Sequence, residues 1–279
     1  RGSYDMKGSL AACLAAAKAV VESKISLRGD LLIAAVADEE FASIGTADVI
    51  KHHTVDAAIV TEPTEMELCL AHKGFVWLEV ETLGRAAHGS RYDEGIDANM
   101  RMGRFLADLD KLEHELRART PHPIVGPPSL HAATLNGGTG LSTYAAACKL
   151  QIERRTIPGE TETQVVGELQ AIIDRLSAAD STFKATVKST LVRNPFEVSS
   201  EAAIVKAVES AAVGVLGQAP PRVGRPFWMD AALLAAASVE TVVLGPTGAG
   251  AHAKEEWVEL KSVEDTAEIL TRAVINYCQ

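Results

Sequence analysis

Apolar residues change their spacing twice along this chain, and that change limits the possible folds more than any other feature. Residues 31–37 (LLIAAVA) and 57–60 (AAIV) are continuous apolar runs, the pattern of strands covered on both faces. From about residue 71 the pattern becomes alternating. Residues 74–82 (GFVWLEVET) and 182–192 (TFKATVKSTLV) place apolar and polar side chains on opposite faces, as a half-buried antiparallel strand does. After Asn194-Pro195 the first character returns, with a β-branched run at 241–244. A fold that changes character and then changes back is one domain interrupted by another.

Helical spacing fills the gaps. Residues 9–23, 45–51, 202–216, 230–237 and 263–277 read as helices of the outer segments, and alternate with their apolar runs as an α/β layer requires. In the middle, residues 96–116 carry Met100, Phe105, Leu106, Leu109 and Leu112 at helical spacing. Residues 145–154 read as a strand and 161–178 as a second amphipathic helix, with Thr161 at its cap. Residues 119–129 are a proline-rich loop, and Thr134-Leu135-Asn136-Gly137-Gly138 is a turn signal. The expectation is an α/β domain built from residues 1–71 and 193–279, interrupted by an α+β domain of residues 72–192 with two helices on one face of a sheet.

Composition narrows the function. With 27 Lys and Arg against 37 Asp and Glu the net charge is −10. That charge argues against a nucleic-acid partner and against docking on anionic lipid. No apolar run approaches the roughly 18 residues of a membrane helix. Cys13, Cys69, Cys148 and Cys278 are far apart, with no Cys-x-x-Cys. They read as reduced thiols of a cytoplasmic protein.

The polar residues that stand out follow the apolar runs. Asp38, Glu39 and Glu40 follow one and Glu62 follows another, while His252 lies on a glycine-rich loop after a third. In open α/β sheets ligands bind outside the carboxyl ends of strands. Carboxylates gathered there repel one another unless a cation lies between them, and carboxylate oxygen with imidazole nitrogen suits a hydrolytic metal centre.

Six segments, in order, carry a resemblance that covers the whole chain. They are Arg1-Gly2-Ser3-Tyr4-Asp5-Met6-Lys7-Gly8, Asp38-Glu39-Glu40, Thr61-Glu62-Pro63-Thr64, Gly84-Arg85-Ala86-Ala87-His88-Gly89, Glu153-Arg154-Arg155-Thr156-Ile157-Pro158-Gly159, and Gly245-Pro246 through His252 to Glu256. Together they resemble the M20 metallopeptidases and deacylases. The resemblance implies a three-layer zinc-peptidase-like α/β catalytic domain with an inserted ferredoxin-like lid and dimerisation domain. It implies two divalent ions, zinc by preference with cobalt or manganese as alternatives. Asp5 would bridge them, Glu40 and His252 would ligate one, and Glu62 the other. Glu39 would be the general base, and His88 would stabilise the oxyanion. Arg155 would grip a substrate carboxylate, leaving Arg154 as an ordinary surface charge or, in reverse, as the gripping residue. Gly137 and Gly138 would form a substrate-binding turn, and Asp230 would support the site.

The implied activity is removal of an acyl group from an N-acyl amino acid, as in deacylases of the acetylornithine deacetylase type. A dipeptidase or carboxypeptidase activity and a non-catalytic binding or dimerisation module are the alternatives. The implied partners are a small substrate bearing a carboxylate and a second copy of the chain, joined through the inserted domain. The family carries one further zinc-ligating histidine, in a His-x-Asp motif ahead of Asp-Met-Lys-Gly. This chain opens at Arg1 inside the latter motif. The expectation is therefore a chain lacking its N-terminal segment, with the second metal site incomplete and an apolar strand edge exposed.

Overall fold

The computed structural model describes residues 1–279 and divides into two compact units, residues 1–72 with 196–279 and residues 73–195. The joins sit one and three residues beyond those drawn from the sequence. The strands are β1 (Ala57–Val60), β2 (Leu68–His72), β3 (Gly74–Leu83), β4 (Ser129–Gly137), β5 (Ala147–Thr156), β6 (Lys184–Arg193), β7 (Phe196–Glu197), β8 (Arg222–Arg225), β9 (Glu240–Val243), β10 (Gly248–Ala249) and β11 (Trp257–Val258). The helices are α1 (Gly8–Ser23), α2 (Ile44–His52), α3 (Ala98–Ala118), α4 (Glu162–Ala179), α5 (Ala203–Leu216), α6 (Ala231–Ala236) and α7 (Leu260–Tyr277).

The first unit is a mixed sheet between helices. Its strand order is β1-β9-β2-β7, with β8 also paired to β2. β1 and β9 run parallel, Ala57 opposite Glu240 through Val60 opposite Val243. Successive side chains of a strand point to opposite faces, and here both faces are covered. Leu68, Leu70, Val242 and Leu244 pack on Ile204, Val205 and Val208 of α5 and on Ile269 and Ala273 of α7. Cys69 and Val243 face the other way, onto Met229, Ala231 and Ala232 around α6. The alanine-rich α1 buries Ala12 and Ala16 against Leu270 of α7, where only small side chains permit so close a helix approach.

One expected strand is absent from this unit. Residues 31–37, read as a central strand, form no strand and are largely solvent-exposed. An apolar run becomes a strand only where a neighbour supplies hydrogen-bond partners, and no strand of this sheet lies beside it. The true inner strand is β2, Leu-Cys-Leu-Ala-His, which is buried at every position. It lacks the alternation that would have marked it.

The second unit is an antiparallel sheet of order β4-β5-β3-β6 with connectivity βαββαβ, the split-βαβ arrangement. Val76, Leu78 and Val80 of β3 and Leu150 and Ile152 of β5 face Met102, Phe105 and Leu109 of α3 and Leu169 and Ile173 of α4. Asp97 caps α3 through the N–H groups of Asn99 and Met100. Thr161 and Gln164 close a reciprocal capping box at the start of α4. The residues read as a turn at 134–138 instead form the last part of β4, which ends at Gly137.

Candidate metal centre

Three elements of the first unit meet at the carboxyl ends of β1 and β9. Glu62 lies two residues beyond β1. The segment after β9 passes so close that a side chain at Gly245 would meet the carbonyl oxygen of Glu62 at 2.2 Å, so only glycine fits. That crossing leads into the hairpin of β10 and β11, whose loop carries His252 with a left-handed backbone, φ 60°. Asp5 comes from the chain's first turn, Ser3–Lys7, which leaves helical geometry at Asp5 and Met6 before α1 begins.

Glu39 and Glu40 are placed differently from expectation. They sit on a turn rather than at a strand end. Asp38 has φ 67°, and its carbonyl accepts the N–H groups of Phe41, Ala42 and Ser43. This tight loop feeds directly into α2.

The geometry brings Asp5, Glu40 and His252 together. The Nε2 of His252 lies 3.1 Å from a carboxylate oxygen of Asp5 and 3.0 Å from one of Glu40. One ligand atom from each of the three lies within 4.8 Å of the others, close enough to share a cation. Glu62 is outside this trio and buried, 7% exposed. Burial, and then the charges of Glu39, Asp5, Asp230 and Glu40, hold its carboxyl well above the usual carboxylate range. Glu39 is pushed up to about 7, first by burial and then by Asp230, Glu40 and Asp5, with His252 opposing. Asp230, at the start of α6, is also buried and accepts a hydrogen bond from the Thr46 hydroxyl of α2.

Two carboxyls with raised pKa values and an imidazole amid five acidic side chains form an oxygen and nitrogen donor set short of positive charge. That chemistry fits a hard or borderline divalent cation. The Thr46–Asp230 pair spans 184 residues and has no local signal in the sequence. Neither has the hydrogen bond from the Tyr4 hydroxyl to Glu65.

The second unit holds the remaining candidates. His88 is exposed, its Nδ1 2.8 Å from the Ser90 hydroxyl. Arg155 lies on β5 with its guanidinium 5.2 Å from the centre of the Phe75 ring and its Nε donating to Glu153 at 2.7 Å. Arg154 is not a surface charge. It is completely buried and held by Glu160 at 2.6 Å and Glu168 at 3.5 Å. The reason is parity: Cys148, Leu150, Ile152, Arg154 and Thr156 all face the core, and Arg155 faces away. Gly137 and Gly138 have a structural reason to be glycine. A side chain at Gly137 would meet Asn99 at 2.0 Å, and Gly138 has φ 80°.

The sequence matches the profile of Peptidase family M20/M25/M40 over residues 1–276. Acetylornithine deacetylase of Myxococcus xanthus is 29% identical over 283 residues, covering 100% of this chain and 72% of that protein. The Salmonella typhimurium enzyme of the same name is 28% identical, over 99% of this chain and 71% of its own length. Among solved structures, aminopeptidase PepT from Bacillus cereus superposes with a TM-score of 0.80 at 16% identity, covering 99% of this chain and 71% of that one. Human carnosine dipeptidase 1 superposes with a TM-score of 0.66 at 14% identity, covering 100% of this chain and 72% of that one. These two share the fold. With the family profile matched along nearly its whole length, the chain belongs to peptidase family M20/M25/M40, and with that family it is a metal-dependent hydrolase.

Proposed function

We propose that the chain hydrolyses the amide bond of an N-acyl amino acid, with Glu39 as general base. The observation that carries this reading is the trio of Asp5, Glu40 and His252, with Glu39 next to Glu40 on the same turn. Divalent cations, zinc by preference, held by Asp5, Glu40, His252 and Glu62 would polarise the scissile carbonyl and acidify water. Glu39 then takes the water proton and passes it to the leaving amine. His88 is the oxyanion donor in this reading. Its Nδ1 is engaged by Ser90, which fixes the ring and presents Nε2. Arg155 is the carboxylate grip, its guanidinium oriented by Phe75 and Glu153. Gly137 and Gly138 shape the adjoining substrate turn.

The deacetylase relatives at 28–29% identity support an N-acyl amino acid over a peptide as the substrate. The four free thiols support a reducing compartment, the cytoplasm. A homodimer through the second unit is supported by β4, which pairs only with β5 and leaves its other edge and most of its side chains exposed, Leu135 among them.

The test is amine release from N-acetyl-L-ornithine and from a panel of dipeptides by the zinc- or cobalt-loaded protein. Turnover of the acylated amino acid, reduced about 10³-fold in Glu39→Gln, supports the reading. Turnover of dipeptides alone would replace it with the peptidase alternative, and an undiminished Glu39→Gln would remove Glu39 as the base.

A further inference from the structure

Glu256 has no place in the chemistry above, yet its side chain is 1% exposed and its carboxylate accepts four hydrogen bonds. One oxygen accepts the backbone N–H of Tyr4 at 2.9 Å and of Asp5 at 3.0 Å. The other accepts the N–H of Gly2 at 2.8 Å and the guanidinium of Arg1 at 3.2 Å. We propose that Glu256 is a positioning residue that fixes Asp5 in ligand geometry and ties it to the loop bearing His252; this rests on the metal-centre reading above.

The backbone explains why such a residue is needed. Gly2 is left-handed at φ 78°, and Asp5 and Met6 are far from helical angles. The N–H groups of Gly2, Tyr4 and Asp5 find their acceptor in Glu256 rather than within this irregular segment, and a buried N–H left without a partner is costly. A carboxylate has about four acceptor positions on two oxygens, so one side chain can satisfy three N–H groups and a guanidinium at once. No neutral side chain has that capacity. The converging donors hold the Glu256 carboxyl down at about 2.

The placement of Glu256 gives the device its purpose. It closes the loop between β10 and β11, just before Trp257, and His252 lies four residues earlier on the same loop. Asp5 and His252 are 247 residues apart in sequence, and their ligand atoms are 3.1 Å apart. The Arg1 guanidinium adds a second stitch, donating to the carbonyl of Ala253 at 2.8 Å. The first turn and the histidine loop are thus one hydrogen-bonded body before any cation arrives. Ligands already in place bind a cation without first losing chain entropy. Groups that orient ligands in this way typically change metal affinity 10–100-fold when altered.

Cobalt(II) serves as the probe, because its visible spectrum reports ligand geometry as well as occupancy. Glu256→Gln keeps the shape and one acceptor oxygen. Expected are 10–100-fold weaker cobalt binding and an altered cobalt spectrum. Tyr4→Phe removes an anchor of the same turn, the bond to Glu65, without touching the carboxylate, and is expected to keep the wild-type spectrum. A folded Glu256→Gln with wild-type cobalt affinity and spectrum overturns the proposal. If Glu256→Gln does not fold, amide exchange in the metal-free wild-type chain decides. Slow exchange at Tyr4 and Asp5 supports a preformed clamp, and fast exchange overturns it. A wild-type chain that binds no cobalt sinks the metal-centre reading itself, a failure distinct from the others.

Discussion

Each unit of this protein gathers a cluster of charge, and the two clusters are balanced in opposite ways. In the second unit, Arg154 is fully buried between Glu160 and Glu168, and Glu160 also accepts the N–H of Ile157. Arg119 reaches the same two carboxylates from outside. Cations and anions match, and the chain completes the cluster by itself. In the first unit, Asp5, Glu39, Glu40, Glu62 and Asp230 gather with one imidazole, and the carboxyls of Glu39 and Glu62 are driven up rather than down. Like charges brought together at the end of a sheet raise one another's pKa. The first cluster is structure. The second is a site that calls for positive charge from outside.

The largest effect is expected at Arg154. Arg154→Ala leaves two carboxylates without their buried partner and is expected to cost about 3–5 kcal/mol in chemical denaturation. Adding Glu160→Gln and Glu168→Gln to an Arg154→Met variant should recover a large part of that loss, because the one charge then left without a partner, Arg119, is open to water. A triple variant as unstable as Arg154→Ala would show that packing, and not charge balance, is what Arg154 supplies.

A second prediction sharpens the other half. Zinc at about 100 times its dissociation constant should stabilise the wild-type chain by roughly 2.7 kcal/mol. His252→Ala, at a site on the exposed loop, should lose most of that gain while melting near the wild-type temperature without metal. Equal stabilisation of both proteins would place the cation elsewhere.

The smallest expected effect is the most diagnostic of repulsion. Glu62→Gln removes one member of the buried acidic cluster. In the metal-free protein at pH 8 its melting temperature should rise by a few degrees, whereas most substitutions of a buried polar residue lower it. A lower melting temperature would mean that Glu62 is held by favourable contacts and that the cluster carries no stored repulsion.

The same contrast decides what the sequence disclosed. In the second unit the sheet and its helices follow from local pattern: β3 alternates through Phe75, Val76, Trp77 and Leu78, and Thr161 marks the start of α4. Even Arg154 was legible, since it continues the inward parity of Leu150 and Ile152. The rule that charge lies outside points the other way, and parity is the stronger signal here. In the first unit pattern misled. Residues 31–37 are apolar enough for a strand but have no neighbour to pair with, and β2, too short and too uniformly buried to alternate, is the one that pairs. Apolarity reports what a segment tolerates, and pairing depends on residues distant in sequence. The metal-centre residues come from positions 5, 40 and 252, so no spacing could join them. Only the ordered motifs did, and nothing in them showed Thr46 beneath Asp230.

The most direct test of the account is the zinc content of the chain after equilibrium dialysis, compared between wild type and Glu40→Ala. At least one zinc per wild-type chain is expected, with much weaker retention in Glu40→Ala, whose exposed side chain can be removed without unfolding the protein. A wild-type chain that emerges with no zinc would contradict it, and the acidic cluster would then be a site without its cation.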